Sequence, residues 1–333
     1  MVDHQGQIWV FLAQSMSFQF SKGDSKGFSP LVPMPAVGQL GPEILALTTG
    51  ADNEPLVIWQ AIDPPGTSRI VFSRWTPQGW SRPVTIDTMP SANYTRSFDA
   101  LRDPQGRVHL VYDRPLDPPE KYKLGVIAID AVDVFTPHKA FHACLSGGSW
   151  SRPVSTTAPG RFDFRAFHLS LDSGGAICLS GVTWEGKTRS QGYLARQYWR
   201  DGQWSGLKVL ARVTAAQDAW IYSDLCGVTH LWHSQDRLWQ YQQLAGGDLK
   251  EATAPCRLLQ PIINRLPDGR IALLSLPGLT VWNGTEWSDL LSVQAEDMGV
   301  SPTGSILLWQ WRDATVKLRQ VSIVTDTALG DER

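Results

Sequence analysis

The turn Asp103-Pro104-Gln105-Gly106 is followed at once by the apolar run RVHLVYD at residues 107–113. Asp-x-x-Gly between apolar runs predicts a β-hairpin, because Gly and Asp tolerate the positive φ angles of tight turns. Six further turns of this kind each precede a β-rich run: Asp3-His4-Gln5-Gly6, Asp52-Asn53-Glu54, Asp172-Ser173-Gly174-Gly175, Asp224-Leu225-Cys226-Gly227, Pro267-Asp268-Gly269 and Ser301-Pro302-Thr303-Gly304. Seven hairpins at intervals of roughly 35 to 70 residues predict a repeat protein.

A second landmark, a Trp-Ser pair, follows most of these hairpins. Pro comes soon after it, and Pro is tolerated where a strand needs no ladder hydrogen bond, so the pair predicts an outermost strand. We interpret these tryptophans as packing between repeats, and the fifth unit has Gly247-Asp248-Leu249 in their place. The copies are Gly79-Trp80-Ser81-Arg82-Pro83-Val84, Ser149-Trp150-Ser151-Arg152-Pro153-Val154, Trp204-Ser205, Trp287-Ser288 and a Phe28-Ser29-Pro30 version near the start.

Each repeat therefore contains four strands, which we label A to D from the inside outward. In the third unit we expect A near residues 98–102, B at 107–113, C near 140–145 and D at 150–155. No stretch has capped helical periodicity. The fold class is predicted to be all-β, a seven-bladed β-propeller in one domain over residues 1–333, with a long third-blade insertion at about 115–138.

Ring closure leaves an alternative open. The chain begins almost at strand B of the first unit, so that unit lacks an inner strand of its own. Residues 321–326 either supply this strand or form strand D of the seventh unit, and six blades with a composite closing blade are the alternative to seven.

The turn and Trp landmarks alternate as Asp-x-x-Gly and (R/Y)-W-x-x-x-x-W-S, seen at residues 74–81 and 198–205, with Pro83 after the first copy. This pattern resembles the sialidase-like, BNR-type propeller superfamily over nearly the whole chain. The superfamily includes sialidases, other glycan-cleaving enzymes, lectins and non-catalytic scaffolds, so the resemblance implies a fold rather than an activity. The sialidase Asp-box is matched only by Ser170, Asp172 and Gly174 in an A–B turn, and the Arg-Ile-Pro signature is missing, so a true sialidase is not expected.

Composition excludes several classes of function. With 19% charged residues and a net charge of −2, nothing favours nucleic acid as a partner, and no apolar run is long enough for membrane insertion. The sparse cysteines Cys144, Cys178, Cys226 and Cys256 are expected to be free thiols. No signal peptide is visible, so we expect a cytoplasmic protein if the chain is complete and a secreted one if a leader was removed.

The candidate ligand site is the mouth of the central channel, where the D–A and B–C loops share one face and the A–B turns lie on the other. Its loops combine arginines, which bind carboxylates in a bidentate manner, with aromatic rings that stack on sugars. Solvated Arg–Asp pairs would give the same pattern. The predicted ligand-binding residues are Tyr94, Arg96, Asp113, Arg114, Arg161, Asp163, Arg165, Trp184, Trp220, His233, Arg237, Trp311 and Arg312.

No catalytic signature accompanies these residues. A Gly-x-Ser-x-Gly motif is absent, several carboxylates are eligible for glycoside hydrolysis without any being singled out, and no cofactor is implied. His109, His168 and His230 lack metal-ligand spacing, so no metal is expected. The leading hypothesis is a non-catalytic recognition propeller that binds a glycan or a protein surface. The alternatives are a glycan-active hydrolase or lyase at the same mouth, and a pure scaffold.

Overall fold

The computed structural model describes residues 3, 5–14, 17–24, 26–34, 40–50, 52, 54–63, 67–89, 97–115, 138–156, 163–172, 174–184, 192–213, 219–224, 228–235, 238–245, 248–254, 261–266, 268–275, 278–301, 304–312 and 315–321. These residues form thirty β-strands in seven antiparallel sheets, which we number in chain order. None of the described residues belongs to a helix long and apolar enough to cross a membrane.

The first four sheets have four or five strands each. Sheet 1 contains β1 (Ile8–Gln14), β2 (Ser17–Asp24), β3 (Gly27–Phe28) and β4 (Val32–Pro33). Sheet 2 contains β5 (Leu40–Thr49), β6 (Pro55–Asp63), β7 (Thr67–Thr76), β8 (Gly79–Trp80) and β9 (Val84–Met89). Sheet 3 contains β10 (Phe98–Arg102), β11 (Val108–Pro115), β12 (His138–Ser146), β13 (Ser149–Trp150) and β14 (Val154–Ser155). Sheet 4 contains β15 (Asp163–Leu171), β16 (Ile177–Trp184), β17 (Gly192–Arg200), β18 (Gln203–Trp204) and β19 (Lys208–Val213).

The last three sheets have four, four and three strands. Sheet 5 contains β20 (Ala219–Ser223), β21 (Thr229–Gln235), β22 (Leu238–Ala245) and β23 (Asp248–Glu251). Sheet 6 contains β24 (Ile262–Arg265), β25 (Ile271–Ser275), β26 (Gly278–Trp282) and β27 (Leu291–Ser292). Sheet 7 contains β28 (Asp297–Val300), β29 (Ile306–Arg312) and β30 (Thr315–Val321).

The strand order confirms the prediction of an all-β propeller. Sheets 2 to 6 follow the order A, B, C, D, and the predicted strands of the third unit coincide with β10 to β14. In the described part of the chain, six sheets have four or five strands and sheet 7 has three, which agrees with the six-blade alternative rather than with seven full blades. Ile8 of sheet 1 packs against Leu307 of sheet 7, so these two sheets meet where the ring closes.

Two predicted segments, the closing segment and the third-blade insertion, lie partly outside the described residues. Val321 is the last residue of β30, the third strand of sheet 7, while 322–326 lie outside the described residues. The third-blade insertion joins Pro115 to His138, which are paired across β11 and β12, and 116–137 also lie outside the described residues.

The seven A–B turns share one hydrogen-bond pattern. The N–H of the first turn residue donates to the carbonyl four residues later, as from Asp103 to Arg107 at 2.8 Å, and this holds for turns beginning at 3, 50, 103, 172, 224, 266 and 301. Where the first residue is Asp103, its carboxylate also accepts the N–H of Arg107 at 2.8 Å. Gly106, the fourth residue, has φ of 79°, which L-residues other than Gly rarely adopt. The residue types therefore follow from the geometry of the turn.

The sheets associate in pairs 1–2, 3–4 and 5–6 through aromatic clusters. In each pair a Trp from strand C of the second sheet approaches a ring from strand B of the first. That ring lies six residues after the turn acid and hydrogen-bonds to its carboxylate at 2.9 to 3.2 Å. The three sets are Asp3, Trp9 and Trp75; Asp103, His109 and Trp199; and Asp224, His230 and Trp282.

Trp80, Trp150 and Trp204 lie where predicted, on short outer strands, and Trp287 forms an isolated bridge with Trp282 outside the named strands. Trp80, Trp204 and Trp287 join the aromatic clusters of the three sheet pairs, while Trp150 packs between sheets 2 and 3 against Phe72 at 5.5 Å. The prediction that they pack between repeats is confirmed for these four. Of the cysteines, Cys144 and Cys178 are free thiols, and the other two lie outside the described residues.

Candidate functional site

A cavity of about 820 Å³ occupies the central channel at the end where the inner strands enter the A–B turns. Its walls come from the inner strands of six sheets and the turns that follow them. The lining consists of residues 47–49, 99–104, 169–172, 175, 222, 264–266 and 300–301. This is the face that the sequence analysis placed opposite the candidate loops.

Two arginines enter this cavity from equivalent positions. Arg102 is the last residue of β10 and Arg265 is the last residue of β24, each directly before its A–B turn. The Arg265 guanidinium donates through Nη1 to the carbonyl of Leu171, at the end of β15, so this side chain crosses from sheet 6 to sheet 4. Burial lowers the pKa of Arg265 from its usual value, but a guanidinium remains charged in proteins. The cavity therefore receives two cations from sheets on opposite sides of the ring.

Two carboxylates of the cavity are held by the turns themselves. Asp103 accepts Nε of Arg107 at 2.6 Å and faces Nε2 of His109 at 3.2 Å. Burial raises the pKa of Asp103, but the hydrogen bonds from Arg107 and His109 outweigh burial and hold it below its usual value. Asp172 accepts the N–H groups of Gly174 at 2.9 Å and Ala176 at 2.8 Å. Both groups therefore serve as hydrogen-bond acceptors within the fold.

A third carboxylate, Asp99, lies further along the channel. Its Oδ2 accepts the N–H of Leu169 at 2.7 Å and lies 3.6 Å from Nδ1 of His168. The imidazole of His168 lies against the indole of Trp220, with ring centroids 3.6 Å apart. Sheets 3, 4 and 5 are thereby connected in sequence around the channel wall.

Asp99, Arg102 and Arg265 are not among the ligand residues predicted from the sequence. A signal was present, since Arg102 and Arg265 each occupy the position directly before an A–B turn. The position of a residue along its strand does not show whether its side chain enters the channel, because the twist and tilt of the blade determine that direction.

Two predicted ligand residues contact other parts of the fold. Asp113 is buried, and its Oδ1 accepts the N–H of Ser97 at 3.0 Å, at the entrance to β10. Arg114 pairs with Asp87 of β9 at 3.2 Å, and its guanidinium lies 5.1 Å from the ring of Phe141. Arg114 thus joins sheets 2 and 3.

Two more of the predicted ligand residues, His233 and Trp220, lie in sheet 5. His233 is buried near the end of β21, and burial lowers the pKa of its imidazole. Trp220 is half-buried, in contact with His168. Both stand at the end of the sheet away from the A–B turns.

The remaining predicted residues are placed only by their backbone or lie outside the described residues. Asp163 and Arg165 belong to β15, Trp184 ends β16, and Trp311 and Arg312 end β29. All five lie on the half of the sheet away from the A–B turns. Tyr94, Arg96, Arg161 and Arg237 lie outside the described residues. A ligand-binding role for the thirteen residues stays a prediction.

The part of the chain that the structure describes contains no preformed metal-binding site. There, no group of three or more His, Cys, Asp or Glu side chains is arranged to hold a metal ion.

Comparison with known proteins identifies a fold rather than a sequence family. No protein-family model and no curated protein sequence matches the chain. A puromycin hydrolase structure matches with a TM-score of 0.60 and 12% identity, over 96% of this chain and 51% of that one. A Hadza microbial sialidase matches at 0.53 and 12%, over 89% and 71%, and virginiamycin B lyase from Staphylococcus aureus at 0.54 and 12%, over 92% and 89%.

The chain spans about half the length of the puromycin hydrolases that it matches. At such low identity, these likenesses show a propeller fold and nothing about activity.

Proposed function

We propose that this chain is a recognition propeller that binds a carboxylate-bearing glycan in its central channel without cleaving it. The observation that carries the proposal is the convergence of Arg102 and Arg265 on one cavity. Guanidinium groups bind carboxylates in a planar, bidentate geometry, and such charge-assisted bonds are stronger than neutral ones. The hydrogen bond of Arg265 to a backbone carbonyl positions the guanidinium, and the charges of Asp172 and Asp224 also act on it.

The rest of the cavity suits a polyhydroxylated ligand. Its polar lining includes the side chains of Thr48, Thr49, Ser170, Asn264 and Ser301. A volume of about 820 Å³ lies within the usual range for small-ligand sites, which is roughly 300–1,000 Å³. A sugar acid offers both features that this lining would recognise, one carboxylate and several hydroxyl groups.

The state of the carboxylates favours binding over cleavage. A glycosidase needs one carboxylic acid whose raised pKa lets it protonate the leaving group. Asp103 has a pKa below its usual value, and Asp172 accepts two backbone N–H groups of its own turn. The alternative is a glycan-active enzyme. The observation in its favour is the Asp99–His168 contact, because a carboxylate beside an imidazole is an arrangement that such an enzyme would use for proton transfer.

The test is calorimetric titration with oligogalacturonate and with its methyl ester, which lacks the charge. We expect binding of the acid and at least tenfold weaker binding of the ester. Arg265→Gln and Arg102→Gln should each weaken binding of the acid at least tenfold, because a hydrogen bond to a charged group contributes about 1.5–3 kcal/mol. Arg152→Gln is the matched control, since Arg152 is exposed beside the outermost strand. Melting temperatures would show that each variant is folded.

Two outcomes would overturn the proposal. Equal affinity for the acid and its ester would remove the arginines from recognition. New reducing ends released from oligogalacturonate would establish the glycan-active alternative, and loss of this release in His168→Gln would assign it to the Asp99–His168 contact.

A further inference from the structure

A groove of about 530 Å³ lies between sheets 3 and 4 on the face of the A–B turns. It adjoins the channel cavity, because Asp103, Asp172 and Gly175 line both. A ligand seated in the channel can therefore continue outward between these two sheets without leaving the protein surface.

The two walls of the groove differ in chemistry. The turn after β10 contributes the exposed amide of Gln105 and the guanidinium of Arg107. The opposite wall, at the end of β17, contributes the half-buried indole of Trp199 together with Arg200 and Asp201. An aromatic ring beside amide, carboxylate and guanidinium groups is the combination that stacks on a pyranose and hydrogen-bonds to its hydroxyl groups.

The charges of the groove are already paired. Arg107 binds Asp103 at 2.6 Å, and Arg200 lies 4.0 Å from Asp172. A carboxylate in the groove would find both guanidinium groups already bound to acids, whereas an uncharged sugar can hydrogen-bond to the same donors and acceptors.

We infer that this groove binds neutral sugar residues of the same glycan whose acidic residue occupies the channel. The inference rests on the proposed function and adds to it the composition of the ligand: one acidic residue followed by neutral ones.

A groove of the same volume between sheets 1 and 2 provides an internal control. It is lined by Gln5 and Trp75, at the positions of Gln105 and Trp199, and by Arg74, but shares no lining residue with the channel cavity. The ammonium of Lys22 also lies 4.9 Å from the ring centroid of Trp75. Substitutions in this second groove should leave the affinity for the extended ligand unchanged.

The experiment compares three probes by titration calorimetry: methyl galacturonoside, the same galacturonate linked to three neutral galactose residues, and galactotriose alone. We expect the tetrasaccharide to bind the unaltered protein at least tenfold more tightly than the monosaccharide. Gln105→Ala combined with Arg200→Gln should reduce this gain below threefold and leave monosaccharide affinity unchanged. Gln5→Ala combined with Arg74→Gln should preserve the full gain.

The outcomes separate the two proposals. Equal affinity of the unaltered protein for monosaccharide and tetrasaccharide would overturn the groove assignment while the channel assignment stands. The groove assignment would also be overturned if the Gln105→Ala, Arg200→Gln variant kept the full gain in affinity of the tetrasaccharide over the monosaccharide. Absence of monosaccharide binding would overturn the proposed function, and galactotriose binding that this variant abolishes would still support the groove as a neutral-sugar site.

Discussion

The imidazole of His168 lies parallel to the indole of Trp220, with centroids 3.6 Å apart and an interplanar angle of 12°. His168 belongs to sheet 4 and Trp220 to sheet 5, so this stack joins neighbouring inner strands. On its other side His168 faces Asp99 of sheet 3 at 3.6 Å. One imidazole thus connects three blades at the channel wall.

This geometry predicts that Trp220 stabilises the ring. Trp220→Ala should lower the free energy of unfolding by about 2–3 kcal/mol, less than the 3–5 typical of a fully buried aromatic residue, because the indole is only half-buried. Trp220→Phe keeps a stacking ring and should cost about 1 kcal/mol. Urea unfolding measures both. Unchanged stability in Trp220→Ala would show that the stack does not hold the neighbouring blades together.

A second prediction concerns the junction of sheets 5 and 6. The Trp282 indole donates to Oδ2 of Asp224 at 2.8 Å, and the same oxygen faces Nε2 of His230 at 3.1 Å. Asp224 is 1% exposed. In a double-mutant cycle of Asp224→Asn with Trp282→Phe, the coupling energy should be about 1.5–3 kcal/mol, the value of a hydrogen bond to a charged group.

The control for this cycle pairs Trp282→Phe with Asp201→Asn. Asp201 is exposed in sheet 4, remote in sequence from this junction, so its coupling energy with Trp282 should be near zero. A coupling energy below about 0.5 kcal/mol for the Asp224 cycle would show that the contact does not hold the sheets together.

The features of the fold that the sequence predicts are those set by interactions between residues close together in the chain. Turns and outermost strands were predictable because their signals are local: Gly106 needs positive φ, and Trp150 follows a short turn. The pairing of blades also leaves a trace, since Trp75, Trp199 and Trp282 each lie five residues before an outer Trp, but only contacts between sheets reveal its meaning.

The candidate site was not predictable in the same way. Arg265 reaches a carbonyl 94 residues away in sequence, and no local pattern encodes that approach. The loop residues chosen from composition include Arg114, whose ion pair with Asp87 holds two sheets together, so composition alone did not separate ligand contacts from structural ones.

A third prediction concerns the pH dependence of stability. His142 is buried, and burial together with neighbouring His109 lowers its pKa to about 3. Its Nε2 lies 2.9 Å from Nδ1 of His109, whose pKa burial also lowers. An unfolded chain protonates these imidazoles near pH 6.5, whereas the folded protein does not, so the unfolded state binds more protons below that pH. Acidification from pH 6.5 should therefore destabilise the fold, with His142 contributing until about pH 3.

The measurement is the free energy of unfolding between pH 7 and pH 5, above the range where most carboxylates titrate. Well below pH 6.5, each such imidazole adds a slope of up to about 1.4 kcal/mol per pH unit. His142→Phe should remove its share of the slope while keeping a ring against Trp199, which lies 4.4 Å from the imidazole. A slope that does not change in this variant would show that His142 titrates normally in the folded protein.

The last prediction uses two glycines in the connections on either side of β18, which differ in backbone φ and both have space for a Cβ. Gly202 has φ of +79° and follows Asp201 at φ 50°, which makes the β17–β18 turn one with both central residues left-handed. Gly206 has no such φ, and a Cβ added at either glycine would meet nothing within 4 Å. Gly202→Ala should therefore cost about 1–2 kcal/mol of backbone strain, without any steric clash. Gly206→Ala should gain about 0.4–1 kcal/mol, because it restricts only the unfolded chain. Chemical denaturation of both variants gives the comparison, and equal effects at the two positions would contradict the left-handed turn.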